Sequence, residues 1–405
     1  MSSDPYVIVG AGHAARRAAE TLRERAPDAR IVMLGEEREL PYDRPVLSKD
    51  ALTSPTGEQR AFIRDAAWYD AQRLELQLGV AAVAIERQSR RVLLEDGRSV
   101  AYERLLIATG SRVRCLTDGV DDDVPLHYLR TVADARALRA ALAPGKRVVV
   151  VGGGFIGLEV AASAMTLGCV VTVVESATGL LQRSLPVAVG EFIRAMHESR
   201  GVDVRLNTRV SSIRRIADGA VVETDRGSIA ADVIVAGIGV VPNVGLAQQA
   251  GLAIKDGIVV DERCRTTDPA IFAAGEVTRH FNPLLGRHLR VESWQVAENQ
   301  PAVAAANMLG DRQAYAEIPW LWSDQYDCNV QTLGVFDAGH TIIARPNAGK
   351  NSLTALALDR QGALKGVAAV NAGREIGVCK RLMAAKVSLD AERLADPTVL
   401  LRSFL

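Results

Sequence analysis

Short apolar runs punctuated by glycine set the pattern of this chain, and one arrangement of them occurs twice. Residues 148–175 read VVVVGGGFIGLEVAASAMTLGCVVTVVE. Four consecutive valines suit a strand buried on both faces of a parallel sheet. Gly152, Gly154 and Gly157 follow in G-x-G-x-x-G spacing, where strand should give way to helix. The first glycine permits a tight turn, the second admits backbone to a pyrophosphate, and the third lets helix pack on strand. The helix is expected to stop at Gly168, a second strand to run over 170–174, and Glu175 to end it. An acid there accepts hydrogen bonds from adenine ribose hydroxyls, and a diphosphate rests on the free N–H groups of the helix start. The earlier copy has a strand at 6–9, then Gly10-Ala11-Gly12-His13-Ala14-Ala15, a helix to about Glu24, a strand at 31–34, and Glu36. Ala15 is small enough for the third-glycine role. Two complete units predict two dinucleotides, or one dinucleotide and a flavin.

The pattern after each unit also repeats. VAAVAIER, RRVLLEDGRSV and YERLLIATGS predict three strands over about 80–110, with Asp96 and Gly97 as a hairpin turn. VDVRLNTRVSSIRR, AVVETDRGS and AADVIVAGIG repeat that meander over about 203–239. Residues 105–110 and 233–239 are therefore expected to be equivalent last strands of two homologous domains. Flavin-like sequence returning at 258–300, after the second unit, places the second domain as an insertion in the first. Residues 40–50, LPYDRPVLSKD, carry two prolines and predict an extended, stiff course. From about residue 319 the texture becomes strand-like, with a turn at 360–362 and a final helix over about 374–386.

Composition narrows the picture by exclusion. Of 405 residues, 48 are Lys or Arg and 48 are Asp or Glu, so nothing in bulk draws the chain to nucleic acid or membrane. The longest uncharged run, 233–254, is broken by Pro242, Asn243 and glycines, and reads as strand, loop and helix rather than a span. The start lacks a basic and apolar leader, so no signal peptide is expected. Five cysteines (115, 169, 264, 328 and 379) make no C-x-x-C or metal-ligand spacing. Buried, inert thiols in a reducing cytoplasm are the expectation, with no metal site.

Further motifs carry a family resemblance: GAGHAARRAAETLR, LPYDRPVLSK, ATGS, VVGGGFIGLE, GIGVVPN, RTTDPAIFAAGEV, ESWQVAENQ and PWLWSDQY. By these, over nearly its full length, the chain resembles the flavin-dependent ferredoxin reductases of bacterial oxygenase systems, in the pyridine nucleotide-disulfide oxidoreductase superfamily. The resemblance implies an α/β fold, with two Rossmann-like nucleotide-binding domains (glutathione reductase-like) plus a C-terminal α+β domain. The expected boundaries are 1–112 with 243–317 for FAD, 113–242 for NAD, and 318–405 for the last domain.

It also implies roles. Gly10, Gly12, Ala14 and Ala15 would hold the FAD pyrophosphate and Glu36 its ribose, with Ala82 at the adenine end. Arg44 would serve a cofactor phosphate and Lys49 the flavin ring. Thr109, Gly110, Arg130 and Trp294 match further flavin contacts. Where the family has Gly-Asp for the ribityl chain, this sequence has Gly275 and Glu276, one methylene longer. In the nicotinamide domain Gly152, Gly154, Phe155, Ile156, Gly157, Glu175 and Gly239 would line the cofactor, Phe155 as an aromatic gate. Glu159 would meet the nicotinamide amide and link to Lys49, although the helix dipole alone would favour an acid in a first turn. Trp320 would stand near the nicotinamide and the outgoing electron path, and shares a strand face with Trp322 by the two-residue period.

The chemistry expected is hydride transfer from NADH to FAD. A carboxylate such as Glu175 about 4 Å from a 2′-phosphate costs roughly 1 kcal/mol in water and about 4 at an effective dielectric of 20, which disfavours NADPH. Related disulfide reductases carry C-x-x-x-x-C soon after the first fingerprint, yet residues 37–60 contain no cysteine. A dithiol relay is thereby excluded. A reduced flavin gives up electrons singly, which suits a separate small iron–sulfur ferredoxin and, through it, a terminal oxygenase. Such encounters are weak and small; Arg287, Arg290, Lys380 and Arg381 are candidate docking charges. The chain is expected to be a monomer or weak homodimer. A flavin NADH oxidase or quinone reductase, and an NADH-sensing protein resembling apoptosis-inducing factor, are the competing readings.

Overall fold

The computed structural model describes residues 4–347 and 350–405. The chain divides into two compact units. One comprises the residues up to Val46 with Glu58–Arg112 and Val240–Ile318; the other comprises Leu47–Gly57, Val113–Gly239 and the residues from Pro319 onward.

The first unit is built on a parallel sheet in the order Ile271–Ala273, Arg104–Ile107, Tyr6–Val9, Ile31–Gly35, Leu74–Leu78. Val7, Ile8, Val32 and Leu105 are wholly buried, as continuous aliphatic runs between two covered faces require. The helix His13–Arg25 lies against Trp294–Met308 on one face. Small side chains make that approach possible: Ala15, Ala18 and Ala19 share a buried cluster with Ala304 and Ala305. The meander Ala82–Glu86, Arg91–Leu94, Ser99–Ala101 is antiparallel. Gly97 turns it at φ +85°, closed by the Leu94 N–H to the Arg98 carbonyl at 2.9 Å.

The second unit repeats the plan. Its parallel sheet runs Asp203–Arg205, Val170–Val174, Arg147–Val151, Val233–Ala236, Leu126–His127. Val148 pairs with Val171 on one side and Val233 on the other, so the four valines are the centre of the sheet. The strands Arg104–Ile107 and Val233–Ala236 flank the fingerprint strand of their own sheet in the same way, as the repeat predicts. This unit also holds a five-stranded antiparallel sheet in the order Trp320–Gln325, Cys328–Gly334, Leu364–Val370, Ser352–Leu358, Thr341–Asn347, with the helix Gly373–Ala385 packed on it. A short helix Ala391–Ala395 and a 3-10 turn Leu401–Phe404 follow, so the helix expected at the end is not the last element. Arg345, buried, holds that tail by donating to the carbonyls of Leu394 and Val399.

Two sequence expectations fail locally. Residues 40–50 are not extended throughout: Arg44–Val46 form a 3-10 turn and a helix starts at Asp50. Proline at 45 fixes φ near −65°, which suits a helical turn as well as an extended one. Cys115 is exposed, unlike the other four cysteines. Burial raises the thiols of Cys169, Cys264, Cys328 and Cys379, Cys328 to about 11 and Cys379 to about 12, which makes them poor nucleophiles. Among the described residues no helix is long and apolar enough to cross a membrane, and no group of three or more His, Cys, Asp and Glu is placed to hold a metal ion.

Candidate active site

Each parallel sheet presents a glycine cradle at the carboxyl end of its central strand, Tyr6–Val9 or Arg147–Val151. In the second unit Gly152 turns at φ +109°, and a Cβ there would stand 2.5 Å from the Gly237 carbonyl oxygen. At Gly157 a Cβ would stand 2.2 Å from the Gly152 oxygen, so the chain's own packing demands both glycines. Gly154 is different. A Cβ there would meet nothing closer than the Gly237 oxygen at 3.9 Å, and at Gly12 of the first unit nothing within 4 Å. Each of these two residues caps a helix, His13–Arg25 or Phe155–Thr166, with no side-chain cap bond. Open space above first-turn N–H groups that lack a side-chain cap fits a diphosphate at both places.

In the first unit two of the expected flavin segments meet the fingerprint, while Lys49 and Arg130 belong to the second unit. A Cβ on Gly10 would strike the Ala108 carbonyl at 2.3 Å and reach the Thr109 nitrogen at 3.3 Å, and one on Gly275 would touch Ala14 at 3.2 Å. The fingerprint, the segment with Thr109 and Gly110, and the turn with Glu276 are thus neighbours. Asn243 staples that segment: the Thr109 hydroxyl donates to the Asn243 carbonyl and the Asn243 amide donates to the Thr109 carbonyl, both at 2.9 Å. Ala15 is fully buried, and Glu36 is exposed just past the strand Ile31–Gly35. Ala82 packs on the core that holds Val9 and Leu34. Arg44 pairs with Glu37 at 2.9 Å and lies over the Tyr42 ring. Trp294 opens the helix Trp294–Met308 and donates from Nε1 to Asp43 at 3.1 Å.

Asp43, His13 and Glu298 went unnoticed in the sequence. His13 sits in the fingerprint itself, with Nδ1 on Asp43 and Nε2 on Glu298 at 2.5 Å. Burial disfavours its charge, but the hydrogen bonds to Asp43 and Glu298 prevail and raise its pKa. Glu298 is raised by burial but more than compensated by His13 and Arg16, and falls to about 2.

In the second unit Lys49 and Glu159 come together, Nζ to Oε2 at 2.7 Å. Glu159 is 4% exposed and is the fifth residue of its helix, not in the first turn. The dipole account of this acid therefore fails, since that effect fades beyond the first turn. Two hydroxyls complete its surroundings: Ser48 donates to Oε2 at 2.5 Å and Ser323 to Oε1 at 2.6 Å. One turn on, Ser163 donates to the Ser48 carbonyl at 2.6 Å, so Glu159 and Ser163 hold the segment bearing Lys49 on one helix face. Phe155 begins the helix half-buried, with Ile156 44% exposed beside it. Glu175 accepts from the N–H groups of Gly153 and Ala177, both at 2.7 Å, which fixes its carboxylate beside the glycine cradle. The Arg183 guanidinium lies within 4 Å of where a Cβ on Gly239 would stand. Arg130 precedes the helix Val132–Ala141, whose Thr131 and Asp134 form a capping box. Trp320 and Trp322 stack at 5.1 Å, as the strand period predicts. Of the docking candidates, Arg290 is engaged by Asp256 and Glu292, while Lys380 and Arg381 are exposed.

Residues 4–301 match the model of the pyridine nucleotide-disulphide oxidoreductase family, and residues 320–405 match that of the reductase C-terminal family. The chain is 62% identical to the anthranilate 1,2-dioxygenase system ferredoxin–NAD(+) reductase component of Burkholderia cepacia, over all of both chains. Among solved structures it resembles a ferredoxin reductase from Rhodopseudomonas palustris (TM-score 0.93, 34% identity, 99% of each chain). It equally resembles a covalent putidaredoxin reductase–putidaredoxin complex (TM-score 0.93, 33% identity, 100% of this chain and 98% of the other). With both glycine cradles in place and family models matched over nearly all its length, the chain belongs to the pyridine nucleotide-disulphide oxidoreductase family.

Proposed function

We propose that this protein takes a hydride from NADH onto FAD and passes the electrons singly to a small iron–sulfur ferredoxin that supplies an oxygenase. The observation that carries the reading is two diphosphate cradles in one chain with no cysteine between residues 37 and 60. A family built to move reducing equivalents from a pyridine nucleotide here lacks the dithiol that would receive them, so the flavin must deliver them outward. Relatives named as ferredoxin reductases support the nature of the acceptor. FAD, when bound, accepts two electrons as hydride and releases them one at a time.

The assignment of residues follows the resemblance. Residues 1–112 with 243–317 bind FAD, 113–242 bind NADH, and 318–405 form a third domain of contact. Gly10, Gly12, Ala14 and Ala15 hold the FAD diphosphate, Glu36 and Ala82 the adenosine end, and Arg44, Thr109, Gly110, Arg130, Glu276 and Trp294 the remainder. Gly152, Gly154, Gly157, Ile156 and Gly239 cradle NADH, Glu175 grips its adenine ribose, and Phe155 covers the ring site. Glu159 receives the nicotinamide amide, Lys49 faces the flavin ring, and Trp320 stands by the electron exit. Free thiols throughout the described residues fit a reducing cytoplasm, and we take the working form to be a monomer or weak homodimer.

The test is NADH-driven cytochrome c reduction with and without the ferredoxin encoded alongside a dioxygenase of this type. A rate that rises in proportion to added ferredoxin is expected. A rate indifferent to ferredoxin, with oxygen or quinone consumed instead, would replace this reading with that of an NADH oxidase.

A further inference from the structure

The carboxylate of Glu159 ends a chain of buried groups that reaches well beyond it. Ser323 (1% exposed) and Gln325 (0%) lie at alternate positions of the strand Trp320–Gln325, and His197 (0%) lies in the helix Val187–Ser199. The Gln325 amide nitrogen is 3.2 Å from the Ser323 oxygen, and its carbonyl oxygen is 2.9 Å from His197 Nε2. The Tyr326 hydroxyl is 3.4 Å from His197 Nδ1, with the Arg200 guanidinium over the Tyr326 ring at 4.5 Å.

Counting protons gives this chain a direction. Ser323 has one proton, and an ionised Glu159 can only accept, so that proton is committed to Oε1. The Ser323 oxygen must then accept from the Gln325 amide, which leaves the Gln325 carbonyl facing His197. That carbonyl accepts only, so the His197 proton sits on Nε2, and the bare Nδ1 accepts from Tyr326. Burial lowers the pKa of His197, in keeping with a neutral ring. The opposite orientation of Gln325 would turn the Ser323 proton away and leave a buried carboxylate oxygen without its donor.

We propose that Ser323, backed in sequence by Gln325 and His197, is a positioning residue for the nicotinamide half-reaction, holding the Glu159 carboxylate in one rotamer and leaving Lys49 on its other oxygen. The strand that carries Trp320 thereby acts on hydride uptake as well as on whatever it does for the outgoing electron. This rests on the reading above that places Glu159 at the nicotinamide. Ser323 does not itself touch the reacting atoms; its effect passes through Glu159.

The experiment uses the full-length FAD-loaded protein and the variants Ser323→Ala, Gln325→Met, the two combined, and Glu159→Ala. Stopped-flow flavin reduction gives a limiting rate and an NADH dissociation constant for each, and calorimetry gives affinity for NAD+ without turnover. Loss of one charge-assisted hydrogen bond is expected to lower the Ser323→Ala limiting rate about tenfold, and to weaken NAD+ binding severalfold. Gln325→Met should show a smaller loss of the same kind. Because both act through one chain, the double variant should be no worse than Ser323→Ala alone, whereas independent packing defects would multiply. If Ser323→Ala fails to retain flavin, Gln325→Met carries the test by the same readouts. Wild-type rate and NAD+ affinity in Ser323→Ala, or losses that multiply in the double variant, overturn the inference. If Glu159→Ala is itself indifferent, the site reading falls; if Glu159→Ala is slow and Ser323→Ala is not, only the positioning role falls.

Discussion

His13 occupies a variable position of the first fingerprint, and its surroundings tie the cofactor loop to distant carboxylates. Because its pKa is raised in the folded state, the stability it contributes is complete below about 6.5 and is lost as pH climbs through the elevated value. Glu298, depressed to about 2, contributes above its ordinary 4.5 and loses that as pH falls through about 2. Replacing His13 with Gln should therefore cost about 1–3 kcal/mol at about pH 6 and less at about pH 9. Thermal unfolding of both proteins at the two pH values checks this; an equal difference at both would refute the assigned charge. Glu175→Ala should cut the preference for NADH over NADPH by about fivefold or more, since one removed charge pair is worth about 1–4 kcal/mol. Stopped-flow reduction by each coenzyme reads the ratio, and an unchanged preference would remove Glu175 from the ribose site. At this scale the sequence was legible where a motif names a residue, as for Lys49 and Glu159. It was silent on Ser48 and Ser323, which lie 111 and 164 positions from Glu159. Serine carries no periodic signal, and only the folded register brings such hydroxyls to one carboxylate.

Among elements, the strand–turn–helix units were readable almost to the residue. Valine runs fix a buried parallel strand, glycines fix the turn, and Gly168 at φ +79° ends the helix as expected. The segment 40–50 was not readable in the same way, because proline restricts φ without choosing between extended and helical ψ. Helix and cradle are coupled at Gly157, whose absent Cβ lets the Gly152 carbonyl lie against the helix. Gly157→Ala must push that carbonyl aside, an overpacking cost of about 1–3 kcal/mol. The expected outcome is a protein that keeps its flavin but binds NADH roughly fivefold more weakly or worse. Flavin absorbance with NAD+ calorimetry checks both halves. Unaltered NAD+ affinity would show that this turn does not hold the nicotinamide cofactor.

For the whole molecule, internal repetition made the architecture legible. Two copies of one unit, each followed by the same meander, imply two homologous sheets, and both sheets carry the fingerprint strand at their centre. The acceptor was less legible, since docking needs only a few surface charges and the net charge is zero. Its identity came from motifs of the family rather than from pattern. What the molecule lacks is as informative as what it has: no thiol pair follows the first cradle, and four of the five thiols are buried with raised pKa values. The most direct measurement is anaerobic stopped-flow reduction of the purified protein by NADH, before and after exhaustive thiol alkylation under native conditions. A yellow protein whose flavin bleaches at the same rate in both samples, and faster with NADH than NADPH, is the predicted result. A colourless protein that takes up no FAD, a flavin reduced no faster by NADH than by NADPH, or one whose reduction by NADH is abolished by alkylation, would contradict the account.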